Sequence, residues 1–178
     1  MNFCSHCGAP VVLRIPDGDN LPRFVCASCG MIHYQNPKLV IGAIVEWDDR
    51  ILMCKRAIEP RSGYWTLPAG FMENDETTAQ AAARETLEEA LARIEVGELF
   101  SLINVPHINQ VHMIYRARLL DLDFMPGAET TEVRLFDESA MPWRDIAFRS
   151  IAMSLRFYYA DRREGSFRFH AEDILVPR

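Results

Sequence analysis

The chain has 178 residues, about half of them hydrophobic, which is enough for one sizeable core and a small appendage. Its formal net charge is −6, which argues against a nucleic-acid polyanion as main partner and suits a small phosphorylated molecule met through metal cations. No apolar run reaches the roughly 20 residues of a membrane span. The start, Met1-Asn2-Phe3-Cys4, has no basic stretch leading into an apolar one, so the expected compartment is the cytoplasm, with no membrane partner.

Residues 1–37 read as a first unit, with a turn-rich centre at Pro16-Asp17-Gly18-Asp19-Asn20 and a joint at Asn36-Pro37. It is too short to build a core unaided. Cys4-x-x-Cys7 and Cys26-x-x-Cys29 supply the staple, at the spacing of a tetrahedral four-cysteine zinc site. Gly8 and Gly30, each just after a pair, relieve the backbone there. All four ligands come from the protein, so a structural Zn²⁺ rather than a catalytic one is expected. The alternatives are unrelated reduced thiols or a redox pair. His6 and His33 read as bystanders, and Cys54 as a buried apolar residue. A nucleic-acid role would need a basic stripe, yet Arg14, Arg23 and Lys38 barely outnumber Asp17 and Asp19. A structural or dimerising ribbon is the expectation.

Residues 38–178 form the second unit. Leu39 to Trp47 predicts a buried strand, Asp48-Asp49-Arg50 a turn, and Ile51 to Cys54 the returning strand. Thr77 to Leu91, rich in Ala and Glu without Gly or Pro, predicts a helix. Strands follow at 96–105 and 111–119, a loop at 121–127, a strand at 132–136, a helix at 146–162 and a late strand at 167–169. Strands interleaved with two separated helices predict an α+β sandwich.

The helix carries the chemistry. At about 100° per residue, Glu85, Glu88 and Glu89 share one arc of about 100°. Ala79, Ala83, Thr86, Leu87 and Ala90 fall on the other side and are expected to pack on the sheet. Three carboxylates on one face repel unless a cation lies between them, and Mg²⁺ or Mn²⁺ suits such hard oxygen donors. A merely solvated acidic face is the plain alternative. The lead-in Trp65-Thr66-Leu67-Pro68-Ala69-Gly70 tips the choice, because Gly70 lets a backbone carbonyl approach the same ion.

Gly70, Glu76, Arg84, Glu85, Glu88 and Glu89 stand in the register of the Nudix box, and the chain resembles the Nudix hydrolases over roughly residues 39–140. The resemblance implies a Nudix α/β/α sandwich with a mixed sheet, to which the N-terminal zinc ribbon is added. It implies hydrolysis of a nucleoside diphosphate linked to another moiety. Glu85, Glu88 and Glu89, helped by the Gly70 carbonyl, would hold Mg²⁺ or Mn²⁺, and Arg84 would orient the glutamates, paired with Glu76. The base would be Glu85, Glu88, or a carboxylate outside the box such as Glu129 or Glu132, whose other reading is a solvent-facing loop. A homodimer is a family-level expectation. Three departures stand out: Thr86 where a larger hydrophobe is usual, Leu91 for the final Gly, and Ala92 after it. Leu91 does not easily take the left-handed conformation, so the helix is expected to run on or end by another geometry.

A zinc ribbon before a Nudix domain resembles the NADH pyrophosphatases, but their Ser-Gln-Pro-Trp-Pro-Phe-Pro stretch is replaced here by Phe100-Ser101-Leu102-Ile103-Asn104-Val105-Pro106. The Trp-Thr-Leu-Pro-Ala-Gly lead-in and Arg-Glu-Thr box are more similar to plant-type FAD pyrophosphatases. FAD and ADP-ribose-like molecules are the leading substrates. Tyr34, Phe100 and Tyr115 are candidate stacking partners, with Trp143 and Phe148 behind them, each with a core role as its alternative. The rival class is a silent nucleotide sensor or a ribbon-led nucleic-acid binder.

Overall fold

The structure, a computed structural model, describes residues 1–175. It divides into two compact units, Met1–Pro37 and Lys38–Arg178. Among the described residues no helix is long and apolar enough to cross a membrane.

In the first unit, β1 (Val11–Arg14), β2 (Arg23–Cys26) and β3 (Ile32–His33) form a three-stranded antiparallel sheet. Each cysteine pair makes a tight turn closed from behind. The Gly8 N–H donates to Cys4 O at 2.9 Å and the Gly30 N–H to Cys26 O at 3.1 Å. Both glycines have positive φ, 75° and 74°, which a side chain would strain.

The second unit is a mixed sheet between two helices. Its strands are β4 (Lys38–Trp47), β5 (Arg50–Arg56), β6 (Trp65–Thr66), β7 (Ala69–Phe71), β8 (Ile94–Val105), β9 (Gln110–Leu119), β10 (Thr130–Phe136) and β11 (His170–Asp173). The main order is β10-β5-β4-β9-β8-β11, with β6 beside β5 and β7 beside β4. The β4–β9 and β8–β11 pairs are parallel and the other pairs antiparallel. The late strand thus lies just after the expected 167–169.

Alternation along β4 explains the layers. Ile41, Ala43 and Val45 point to one face, where Ala81, Ala82 and Ala90 of α1 (Thr78–Ala90) pack. Ile44 points to the other, into a core with Trp65, Ile114, Leu155 and Tyr158, built by α2 (Arg149–Glu164). Gly42 lets the lead-in loop lie against β4: a Cβ there would overlap the Ala69 side chain, while the Ala43 N–H donates to Pro68 O at 3.2 Å.

Helix α1 starts at a capping box in which Thr77 and Gln80 satisfy each other's backbone N–H. Its packing face differs from the wheel reading. Leu87 is exposed, while Ala81, Ala82, Glu85, Thr86, Glu89 and Ala90 are buried. Two of the three glutamates therefore share the arc that meets the sheet, where its lead-in loop leaves room. Thr86 tolerates burial because its hydroxyl donates to Ala82 O at 2.8 Å.

The helix end also differs from expectation. Leu91 does take the left-handed conformation (φ 47°, ψ 26°) and terminates the helix, its N–H bonded to Leu87 O. The loop after β9 makes that affordable: Met125 N–H donates to Ala90 O and Gly127 N–H to Glu89 O, both at 2.9 Å. Carbonyls that a glycine-based cap would satisfy are thus satisfied by a neighbouring segment.

Candidate functional site

A cleft of about 1190 Å³ opens beside the N-terminal half of the sheet. Its charged lining is Arg56, Glu59, Glu73, Arg84, Glu85, Glu88, Glu89 and Glu129, with Gly70 among them. Its apolar lining includes Val40, Ile58, Phe71, Leu91, Ile108, Phe148 and Ile151, and Gln110 and His112 are polar members on β9.

Arg84 organises the charged lining. Its guanidinium grips Glu76 with two bonds, 3.0 and 2.8 Å, and donates to Glu85 Oε1 at 2.7 Å, to Glu88 Oε2 at 3.1 Å and to Phe71 O at 3.1 Å. This fork holds the Glu76 carboxyl down at about 2, with the Glu73 N–H helping, and pushes the Arg84 pKa further up. Glu85 is raised instead, because burial outweighs its contact with Arg84. Glu89, 8% exposed, is pushed up to about 8 by burial, despite a 3.2 Å bond from the Ala69 N–H, with Glu85 repelling it. A buried carboxyl that resists ionising next to a second one calls for a cation.

The three glutamates do not converge to a closed cage. Among the described residues the one group of at least three His, Cys, Asp or Glu ligand atoms within 4.8 Å of one another is the cysteine cluster. Glu85 and Glu88 lean onto Arg84, and Glu89 onto Ala69. Like charges move apart onto separate partners, yet all three border one cleft with Gly70. Gly70 itself leaves no space for a side chain, since a Cβ would land on the Glu85 carboxylate. The donor set is all hard oxygen and fits Mg²⁺ or Mn²⁺.

The four cysteine sulfurs cluster tightly, with Cys4–Cys29 at 3.8 Å and Cys7–Cys26 at 3.4 Å. Zn–S bonds of about 2.3 Å set tetrahedral edges near 3.8 Å, so the set fits zinc. His33 is closer than a bystander: its Nε2 is 3.3 Å from Cys4 Sγ.

Among the other candidates, Glu129 borders the cleft. Glu132 does not: it lies on β10 bonded to Arg134 at 2.9 Å. Phe100 is buried beside Tyr158, Phe167 and His170. Tyr115 turns to α1, its hydroxyl 2.6 Å from Thr78 Oγ1. Neither aromatic lines the cleft, because both side chains are already claimed by core neighbours. Trp143 packs on Tyr159, while Phe148 does line the cleft. Tyr34 is exposed in the first unit, with Arg23 over its ring at 5.1 Å. Sequence reading missed Arg56, whose guanidinium lies 5.1 Å from the Phe148 ring centroid and whose Nε donates to Pro60 O. Its only signal was a basic pair, Lys55-Arg56, closing a strand before a turn. Gln110 and His112 were missed too, though two polar residues on alternate positions of an apolar strand mark one face.

A mixed sheet between two helices, with a carboxylate-lined cleft where a glycine-ended loop meets α1, offers the all-oxygen donor set with which a hydrolase can hold a divalent metal. The NUDIX domain family matches residues 36–154 and the Nudix N-terminal family residues 2–35, so the chain belongs to the NUDIX hydrolase family and carries its zinc-ribbon unit. A crystal structure of a NUDIX hydrolase from Nitrosomonas europaea is 59% identical with a TM-score of 0.95, covering 98% of this chain and 99% of that one. An ADP-ribose pyrophosphatase of Methanocaldococcus jannaschii is 31% identical over 113 residues, 61% of this chain and 67% of that protein. A NAD-capped RNA hydrolase NudC of Pseudomonas aeruginosa is 28% identical across 97% of this chain, which spans 59% of the NudC length.

Proposed function

We propose that the chain hydrolyses the diphosphate bond of a nucleoside diphosphate derivative, with ADP-ribose or FAD as leading substrates. The observation that carries this reading is one cleft lined by Gly70, Glu85, Glu88 and Glu89, with Glu85 and Glu89 buried in its wall. Glu85, Glu88, Glu89 and the Gly70 carbonyl would hold Mg²⁺ or Mn²⁺. Bound there, the metal would neutralise the diphosphate and acidify a water. Arg84, anchored by Glu76, sets where Glu85 and Glu88 point. Arg56 offers its remaining guanidinium N–H groups to a phosphate oxygen. Glu129, bordering the same cleft, is the best placed carboxylate outside the helix to accept a proton from water. Residues 1–37 would hold a structural Zn²⁺ through Cys4, Cys7, Cys26 and Cys29.

The ADP-ribose reading draws support from the Methanocaldococcus relative, and a second reading, NAD-type substrates including NAD-capped RNA, from the NudC relatives. Purified protein given Mg²⁺ or Mn²⁺ and a panel of ADP-ribose, FAD, NADH and NAD-capped RNA should release AMP or 5′-phosphorylated RNA from at least one. No release from any of them removes the hydrolase reading in favour of a nucleotide-binding module.

A further inference from the structure

The cleft wall formed by β9 and the start of α2 holds a polar chain that the hydrolytic centre does not use. Val40 is in register with His112 on β9 and with Phe71 on β7, so Phe71, Val40 and His112 form a row across three neighbouring strands on one face. Gln110, two residues before His112, shares that face. Phe148 and Ile151, from the start of α2, also line the cleft. His112 is 7% exposed and both its nitrogens are engaged: Nδ1 lies 2.8 Å from Ser150 Oγ and Nε2 2.9 Å from Gln110 Oε1.

The proton count follows from the partners. With the Gln110 amide oxygen toward the ring, Nε2–H donates to Gln110 Oε1 and Nδ1 accepts a hydrogen bond from the Ser150 hydroxyl. Burial lowers the His112 pKa, which keeps the ring neutral as this pattern requires. The Gln110 amide is thereby fixed with its oxygen turned inward, and its two N–H donors make no hydrogen bond to another described residue. A structural tie between β9 and α2 would be complete with His112 and Ser150 alone. The third member stands on the cleft wall, where a fixed polar group amid apolar neighbours confers selectivity.

We propose that Gln110, held in orientation by His112 and Ser150, is a specificity residue that donates a hydrogen bond to an acceptor on the edge of the planar heterocyclic base of the substrate. The assignment deepens the diphosphatase reading and rests on it for the substrate class. Gln110 touches the base; His112 and Ser150 are positioning residues.

The test holds the diphosphate and sugar constant and varies the base, using ADP-, GDP-, UDP- and CDP-glucose with Mg²⁺. The parent should rank the four by KM. Gln110→Glu keeps the size and the inward oxygen but loses the outward donor; it should raise KM for the preferred base about tenfold, with kcat close to the parent, and flatten the ranking. Ser150→Ala should shift KM the same way by about threefold, since it frees the orientation without removing the donor. An unchanged ranking in Gln110→Glu, or a fall in kcat alone, overturns the assignment. If the parent cleaves none of the four, binding of AMP, GMP, UMP and CMP is measured calorimetrically. A base ranking that Gln110→Glu abolishes supports the assignment whichever way the hydrolase reading is decided by its own panel; equal or absent binding overturns it.

Discussion

Replacing Glu89 by Gln should make the metal-free protein more stable at alkaline pH while removing its turnover. Glu89 is 8% exposed and its folded-state pKa is about 8, against an ordinary value of 4.5. Between those values the folded chain holds a proton that the unfolded chain releases, so stability falls as pH rises from 4.5 to 8 and is flat above that. At 1.36 kcal/mol per unit the loss is about 3–5 kcal/mol by pH 8. Gln keeps an oxygen to accept from the Ala69 N–H and carries no charge toward Glu85, so it should avoid this loss. All three tryptophans, Trp47, Trp65 and Trp143, lie in the second unit, so urea melts followed by tryptophan fluorescence report on it directly. Without Mg²⁺ or Mn²⁺, the variant should match the parent near pH 5 and exceed it by a widening margin toward pH 9. Saturating Mg²⁺ should stabilise the parent and much less the variant, because binding to the folded state alone adds stability. Parallel pH–stability curves for the two proteins, or a variant that still turns substrate over, would refute the reasoning.

Three further outcomes follow from the same geometry. Leu91→Gly should raise stability by about 0.5–1 kcal/mol in thermal melts, since Leu91 is 42% exposed and sits in the left-handed region where only Gly is unstrained; a lower melting temperature would contradict this. Gly127→Ala should cost about 2–4 kcal/mol in the same melts and lower kcat, because its Cβ would overlap the Glu88 carbonyl oxygen and force apart the loop that leads to Glu129; wild-type stability would show that the loop gives way freely. Elemental analysis should find one zinc per chain, lost in Cys29→Ser; a zinc-free parent or a zinc-replete variant would undo the ribbon assignment.

The layers were legible in the sequence where periodicity and burial coincide. Leu39 to Val45 carries no polar side chain because both faces of β4 are covered, and Thr77 to Leu91 lacks any breaker between its caps. The short strands β6 and β7 were not legible, because two or three residues set no period, and their pairing depends on Gly42 admitting the lead-in loop to β4. The helix wheel misplaced Leu87 because it centred the packing face on the wrong arc: at about 100° per residue the buried Ala81, Ala82, Glu85, Thr86, Glu89 and Ala90 share one side, and Leu87 falls beyond its edge.

The glutamates and Arg84 were legible because they lie on one helix and the loop before it, so local spacing fixes their neighbourhood. The rest of the cleft lining was not, because it is assembled from β4, β7, β9 and the start of α2, which only tertiary pairing unites. Phe100 and Tyr115 were reasonable aromatics to name, yet an aromatic ring carries no mark of whether a core or a cleft receives it. Leu91 shows the same limit in the backbone. Its sequence neighbours predict strain, and the strain is present, but Met125 and Gly127 supply the carbonyl partners that a glycine cap would have provided. Conformational cost at one residue is therefore set by segments about 35 residues away in sequence as much as by the residue itself, and the loop that covers this cost is the one that carries Glu129 into the cleft.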